Sequence, residues 1–313
     1  MMRILIYGAG VQGTYLAHVL SANKNNVITL LARGQTAANL RENGVVIRHY
    51  FQKRTTVDKI CIITKLAPTD KYDLIFVTMQ YTHFVDVLKP LAQNVSPNII
   101  LVGNNLTAPQ MQAYLEKNSL IAKNIGFGFQ ITGGTRNNYQ TTCIRFGKGQ
   151  MLVGSLNGVF PFQVLLDEAF RMTPYQWKYQ QQMDDWLKAH AVVVTFFGYA
   201  NYLHRDNVKK VAGDQKLLFM MVDAMGECFT ALEQKGYQLI PPAQAKLIKN
   251  QRYLAYLFFK FYFSLPMAKF VDGSVMEADG LFEVFKQEFL NDDQMSPSFR
   301  LVKLVRDSDG FNQ

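Results

Sequence analysis

What this 313-residue chain lacks narrows the reading first. No run approaches the roughly 18 consecutive apolar residues of a helical membrane span, so no membrane partner is expected. Cysteine is scarce: Cys61, Cys143 and Cys228 stand far apart with no C-x-x-C pair, which removes a disulfide framework and a thiolate cluster. Free buried thiols in a reducing compartment are the expectation. His18, His49, His83, His190 and His204 fall at no metal-ligand spacing, so no structural metal is expected. There is no fixed-period repeat and no low-complexity stretch. After Met1-Met2-Arg3 a glycine loop interrupts the apolar segment that a secretion signal would need, and the expectation is a cytoplasmic protein. With 49% hydrophobic and only 18% charged residues, the composition excludes wholesale disorder.

Acidic residues are also in deficit, and the formal net charge is +9. Such an excess suits nucleic acid, yet the basic residues are scattered and no helix-turn-helix, zinc or RNA-binding signature accompanies them, so no nucleic-acid partner is expected. The positive potential would equally attract an anionic cofactor and an anionic substrate. One run, Lys249 to Phe263, is basic and aromatic together. It reads as a helix packed against neighbours or as a subunit interface, the latter implying a homodimer.

What is present begins at the first residues. Ile4, Leu5 and Ile6 form a short apolar run suited to a strand buried on both faces, and the run stops at Gly8-Ala9-Gly10-Val11-Gln12-Gly13. In a G-x-G-x-x-G loop the first glycine permits the tight turn, the second lets a diphosphate approach the backbone, and the third lets the next helix lie against the strand. Free N–H groups at the start of that helix face the phosphates. Val11, Tyr15, Leu16, Val19 and Leu20 keep helical spacing, and Val27 to Leu31 supplies a second strand. The pattern predicts a dinucleotide-binding unit.

Arg33 bears on which dinucleotide. Such strands often end in an acid that holds a ribose 2′-hydroxyl, whereas arginine accommodates a 2′-phosphate. Leu31-Ala32-Arg33-Gly34 offers no acid. A charge-assisted hydrogen bond contributes about 1.5–3 kcal/mol, enough to favour NADPH over NADH by roughly ten- to hundredfold.

Further along, Thr36 to Asn43 reads as a helix; Val45 to Arg48, Thr56 to Thr64, Asp73 to Thr78, Asn98 to Val102, Leu120 to Gln130 and Thr141 to Val153 read as strands; His83 to Gln93 reads as a helix. Ligands gather at the carboxyl ends of strands in open parallel sheets, which brings Gln80 and Asn104 into the candidate site. From about Tyr175 long helical patterns take over: Met183 to Tyr202, Val208 to Gln234, Pro242 to Phe263, Leu281 to Phe289 and Pro297 to Val305. The fold class is therefore α/β, with a Rossmann-like dinucleotide-binding domain over residues 1–177 and an all-helical substrate and dimerisation domain over 178–313.

GAGVQG at Gly8 to Gly13 with LLARG at Leu30 to Gly34, YDLIFVTMQ at Tyr72 to Gln80, GNNLT at Gly103 to Thr107, WLKAHA at Trp186 to Ala191 and the Glu277-Ala278-Asp279 element together resemble the 2-dehydropantoate 2-reductase (ketopantoate reductase) family. The resemblance implies NADPH as cofactor, a cytoplasmic dimeric enzyme of pantothenate biosynthesis, and hydride transfer to the carbonyl of a 2-keto acid. It implies Lys188 as the proton donor, in the cleft between domains. An ammonium there would stabilise and protonate the developing alkoxide. It further implies Asn104 beside the nicotinamide, with Asn105 as a neighbour able to compete, and Glu277 near the nicotinamide ribose.

Three departures stand out. Gln80 occupies a position where the family commonly has lysine. Val192 and Phe196 stand one and two turns after Lys188, where asparagines would grip the substrate, so the pocket is expected to take an analogue more apolar than ketopantoate. The serine ahead of the Glu-x-Asp element finds only Ser264 nearby, and Asn201 and Asn207 are candidates to compensate. A non-catalytic NADPH-binding or sensing protein of the same fold, and another dehydrogenase of similar build, are the competing readings.

Overall fold

The computed structural model describes residues 1–145, 147–270, 274–290 and 295–308. It divides into two compact units, one of Met1–Gly103 with Thr107–Met183, the other of Asn104–Leu106 with Asp184–Gln313.

In the first unit the chain runs β1 (Met2–Tyr7), α1 (Val11–Ser21), β2 (Asn26–Leu31), α2 (Gly34–Asn43), β3 (Val45–His49), β4 (Arg54–Asp58), β5 (Cys61–Ile63) and β6 (Leu74–Thr78). It continues as α3 (Phe84–Gln93), β7 (Asn98–Val102), α4 (Ala108–Asn118), β8 (Asn124–Gln130), β9 (Gly133–Arg136), β10 (Gln140–Ile144), β11 (Gln150–Gly154), α5 (Gln163–Ala169) and β12 (Gln176–Tyr179). The main sheet has the order β12-β11-β8-β7-β6-β1-β2-β5. Its pairs are parallel except β8 with β11, which are antiparallel. From β5 to β8 this is the order of a doubly wound dinucleotide-binding sheet, and the direction of winding reverses between β1 and β6. Ile4 to Ile6 and Leu74 to Val77 are fully buried, as strands covered on both faces must be.

A second sheet, β4-β3-β10-β9, lies in the same unit. It accounts for two differences from the sequence expectation. Thr56 to Thr64 is two strands, β4 in the small sheet and β5 at the edge of the large one, and Thr141 to Val153 likewise divides into β10 and β11. Each long β-branched pattern serves two sheets, a partition that periodicity does not report. Helices α4 and α5 and strands β9 and β12 also emerge only here. The units part at Met183/Asp184, beyond the break at 177/178 expected from composition, which falls inside β12.

The second unit contains α6 (Met183–Leu203), which begins at the last residue of the first, then α7 (Val208–Gly213), α8 (Gln215–Gln234), α9 (Pro242–Asn250), α10 (Arg252–Ser264), α11 (Val275–Glu288) and α12 (Pro297–Arg306). Helix α8 runs through its core, with Met221, Met225, Cys228 and Leu232 fully buried. The predicted helix from Val208 to Gln234 is broken because the Asp214 carboxylate accepts the Leu217 N–H at 2.9 Å and starts a new helix. The run from Pro242 to Phe263 is interrupted at Gln251, whose backbone leaves the helical region. Among the described residues no helix is long and apolar enough to cross a membrane. Cys143 and Cys228 are buried free thiols, whereas Cys61 is exposed, since it starts the edge strand β5.

Candidate functional site

The glycine loop joins β1 to α1, and its three glycines differ in a physically informative way. Gly8 has φ of +116°, and a Cβ there would stand 2.3 Å from the Thr78 carbonyl oxygen. The Thr78 hydroxyl closes the same contact by donating to the Gly8 carbonyl at 2.9 Å. At Gly13 a Cβ would come within 1.9 Å of that carbonyl, so the residue sets how closely α1 approaches β1. Gly10 is the opposite case, with nothing within 4 Å of an added Cβ. It caps α1 without any side-chain hydrogen bond, and the first turn carries no acid. The open space over Gly10 and the unmatched N–H groups behind it fit a diphosphate.

Around the loop, Gln12 is held rather than free: Nε2 donates to the Thr132 carbonyl at 2.6 Å and Oε1 accepts from the Thr132 hydroxyl at 3.0 Å. Ala9 is buried, Val11 half-buried, and the Ala9 carbonyl accepts from Arg136 Nη1. Arg136 was not among the sequence candidates. Its one signal is the GGTR segment after β8. Arg33 is exposed at the head of α2, and its Nη2 donates to the Tyr7 hydroxyl at 3.0 Å. Gln80 is exposed just beyond β6.

In the helical unit, Asn104 and Glu277 are both buried and joined, Asn104 Nδ2 donating to Glu277 Oε1 at 3.1 Å. The second polar atom of that amide, Asn104 Oδ1, is buried without a partner. Lys188 is 2% exposed on α6, its Nζ 2.5 Å from Asp184 Oδ1 and 4.7 Å from the centre of the Tyr237 ring. The i,i+4 spacing of Asp184 and Lys188 was legible, whereas Tyr237 could be found only through the fold. Trp186 and His190 of the same segment stack at 4.7 Å, and burial pulls the His190 pKa down to about 4. Val192 and Phe196 follow Lys188 at four-residue intervals, both 0% exposed.

The remaining expectations divide. Asp279 accepts from the Tyr199 hydroxyl at 3.1 Å and from Arg306 at 2.7 Å, tying α6, α11 and α12 together. Asn207 caps α7 by accepting the Lys210 N–H at 3.2 Å, and Ser264 bonds back to the Phe261 carbonyl at 2.6 Å. Those two contacts are local and structural. Asn201 is buried with both side-chain polar atoms unpartnered.

The parallel sheet with its glycine turn is the build of a dinucleotide-binding domain. Residues 4–158 match the model of the ketopantoate reductase PanE/ApbA family. No curated protein matches the sequence. Over nearly its whole length the chain shares its fold with solved structures. One is D-mandelate dehydrogenase with NADH and anilino(oxo)acetate, 14% identical, covering 97% of each chain at a TM-score of 0.73. Another is 2-dehydropantoate 2-reductase from Methylococcus capsulatus, 15% identical, covering 97% of this chain and 90% of that one at 0.65. The corresponding enzyme from Geobacter metallireducens GS-15 is 15% identical, covering 90% and 100% at 0.66.

Proposed function

We propose that the chain is an NADPH-dependent reductase that converts a 2-keto acid, with a side chain more apolar than that of ketopantoate, to the 2-hydroxy acid. The observation that carries this reading is a buried ammonium paired with Asp184 one turn before it and followed on the same helix face by apolar residues: Lys188, with Val192 and Phe196 one and two turns on. When bound, NADPH supplies the hydride. As charge grows on the carbonyl oxygen, the Lys188 ammonium stabilises it and passes it a proton, which completes the hydroxyl and leaves a neutral amine to be reprotonated from solvent. Asp184 orients the Nζ. Val192 and Phe196 cannot hydrogen-bond a substrate hydroxyl, so these two positions supply no polar grip. A D-mandelate dehydrogenase bound to anilino(oxo)acetate is a neighbour in fold, which supports a carbonyl substrate bearing a large apolar group.

For the cofactor, the backbone from Gly8 through Ala9, Gly10, Val11 and Gln12 to Gly13 receives the diphosphate, and Arg33 receives the 2′-phosphate. Gln80 and Asn104 serve the nicotinamide end. Asn104 Oδ1, left without a partner, is an acceptor for the carboxamide N–H, and Glu277 holds the amide in that orientation. The exposed stripe on α10, Tyr253, Leu254, Leu257, Phe258 and Phe261, is the face we assign to a second copy of the chain.

A panel of 2-keto acids with NADPH tests the reading, run beside Lys188→Ala. Turnover that favours branched or aromatic side chains, and a kcat reduced about 10²- to 10⁴-fold by the substitution, is the expected outcome. Preference for ketopantoate itself would overturn the apolar pocket. Tight NADPH binding with no turnover of any carbonyl would leave a non-catalytic binding or sensing protein.

A further inference from the structure

We propose that Arg136 is a second cationic ligand for the dinucleotide, gripping its diphosphate from the small sheet. The proposal rests on the reading of the glycine loop as a dinucleotide site. Strand β9 reaches the loop because Gly134 lets it: a Cβ there would stand 2.9 Å from Val11 Cγ1 and 2.2 Å from the Thr142 carbonyl oxygen. The approach is locked by the Gln12 and Thr132 pair and by Gln130 Nε2, which donates to the Gln12 carbonyl at 3.0 Å. Arg136, the last residue of β9, thereby lays its guanidinium on the loop, with Nη1 donating to the Ala9 carbonyl.

That contact uses one edge of a fork with five donors. Nη2 is buried and has no partner. Burial pulls the guanidinium below its ordinary pKa. Arg136 is itself half-buried, but a cation whose buried Nη2 lacks a partner is costly unless an anion completes it, and the adjacent loop has open space over Gly10 and an uncapped helix start behind it. The two cations have different tasks. Arg33 reads the 2′-phosphate that distinguishes NADPH from NADH, whereas Arg136 contacts a group common to both. It sets affinity rather than choice of cofactor.

Calorimetric titration of wild type, Arg136→Met and Arg136→Lys with NADPH, NADH and adenosine 2′-monophosphate, together with thermal melts of the unliganded proteins, tests this. Arg136→Met is expected to weaken NADPH and NADH by the same factor, about ten- to hundredfold, and to leave the 2′-monophosphate, which has no diphosphate, within about twofold. Arg136→Lys, which keeps the charge but not the fork, falls between. If Arg136→Met fails to fold, the lysine variant carries the test, since its losses must again be equal for both dinucleotides. Unchanged dinucleotide affinity with a lowered melting temperature would overturn the proposal and make Arg136 a staple of the loop. A wild type that takes up neither dinucleotide would instead refute the underlying cofactor reading.

Discussion

Alanine at Gly10 and alanine at Gly13 add the same methyl group three residues apart: one enters the ligand's space and the other enters the protein's. At Gly10 the backbone sits at φ of −74°, which alanine adopts freely, and nothing lies within 4 Å of the new carbon. The loss in stability is expected to stay within about 1 kcal/mol, the cost of a poorer helix cap. The methyl group nevertheless stands where a diphosphate must approach, and losing one charge-assisted hydrogen bond of about 1.5–3 kcal/mol weakens binding roughly ten- to hundredfold. At Gly13 the carbon would lie 1.9 Å from the Gly8 carbonyl oxygen, so α1 must move off β1. Overpacking of this kind costs at least about 2 kcal/mol, which lowers the melting temperature by roughly 4–8 °C in a unit of this size. Calorimetry with NADPH and thermal melts separate the two effects. Undiminished affinity in Gly10→Ala would refute the claim that phosphates rest on this loop, and an unchanged melt in Gly13→Ala would refute the packing argument.

Arg33→Ala should cost about ten- to hundredfold in NADPH affinity while NADH binding is nearly unchanged, and an equal loss for both would remove Arg33 from the 2′-phosphate. Stability should fall in acid. Burial, the largest cause in each case, holds His49 and His190 at about 4, against about 6.5 in an unfolded chain, so unfolding takes up protons between those values. The contribution is complete above about pH 6.5 and is lost as pH falls toward 4, at up to about 1.4 kcal/mol per pH unit for each histidine. Denaturant melts at several pH values measure it, and a His190→Gln variant with the wild-type slope would exclude that residue. Light scattering should show a dimer that Phe261→Lys, placing a charge at the 64%-exposed C-terminal end of the α10 stripe, converts to monomer. A wild-type monomer would contradict the interface.

Much of the molecule was legible in one dimension because its signals are local. The loop reads from glycine spacing, the core strands from unbroken apolar runs such as Leu74 to Val77, and α6 from helical periodicity with Lys188 on it. Two of the places where the reading departed from the structure share one cause. Thr56 to Thr64 and Thr141 to Val153 have uniform β character, but which sheet each half joins depends on partners such as Val46 and Ile47, opposite Gln140 and Thr141 in β3 and β10. The division of Val208 to Gln234 was a matter of one capping carboxylate.

The amino-acid order alone determined the chemistry available: a glycine turn that admits phosphate, a guanidinium in place of an acid after the second strand, one lysine ahead of two apolar helix positions. These are properties of residue type and short spacing, and they hold wherever the segment lies. Tertiary structure decided which of those groups are satisfied and which are left waiting. Only packing across distant segments lays the half-buried Arg136 guanidinium against Ala9, pairs Asn104 with Glu277 while stranding Oδ1, and seats Lys188 against Tyr237. Burial and hydrogen-bond satisfaction are relations between residues far apart in the chain, so no reading of one residue's neighbours can supply them.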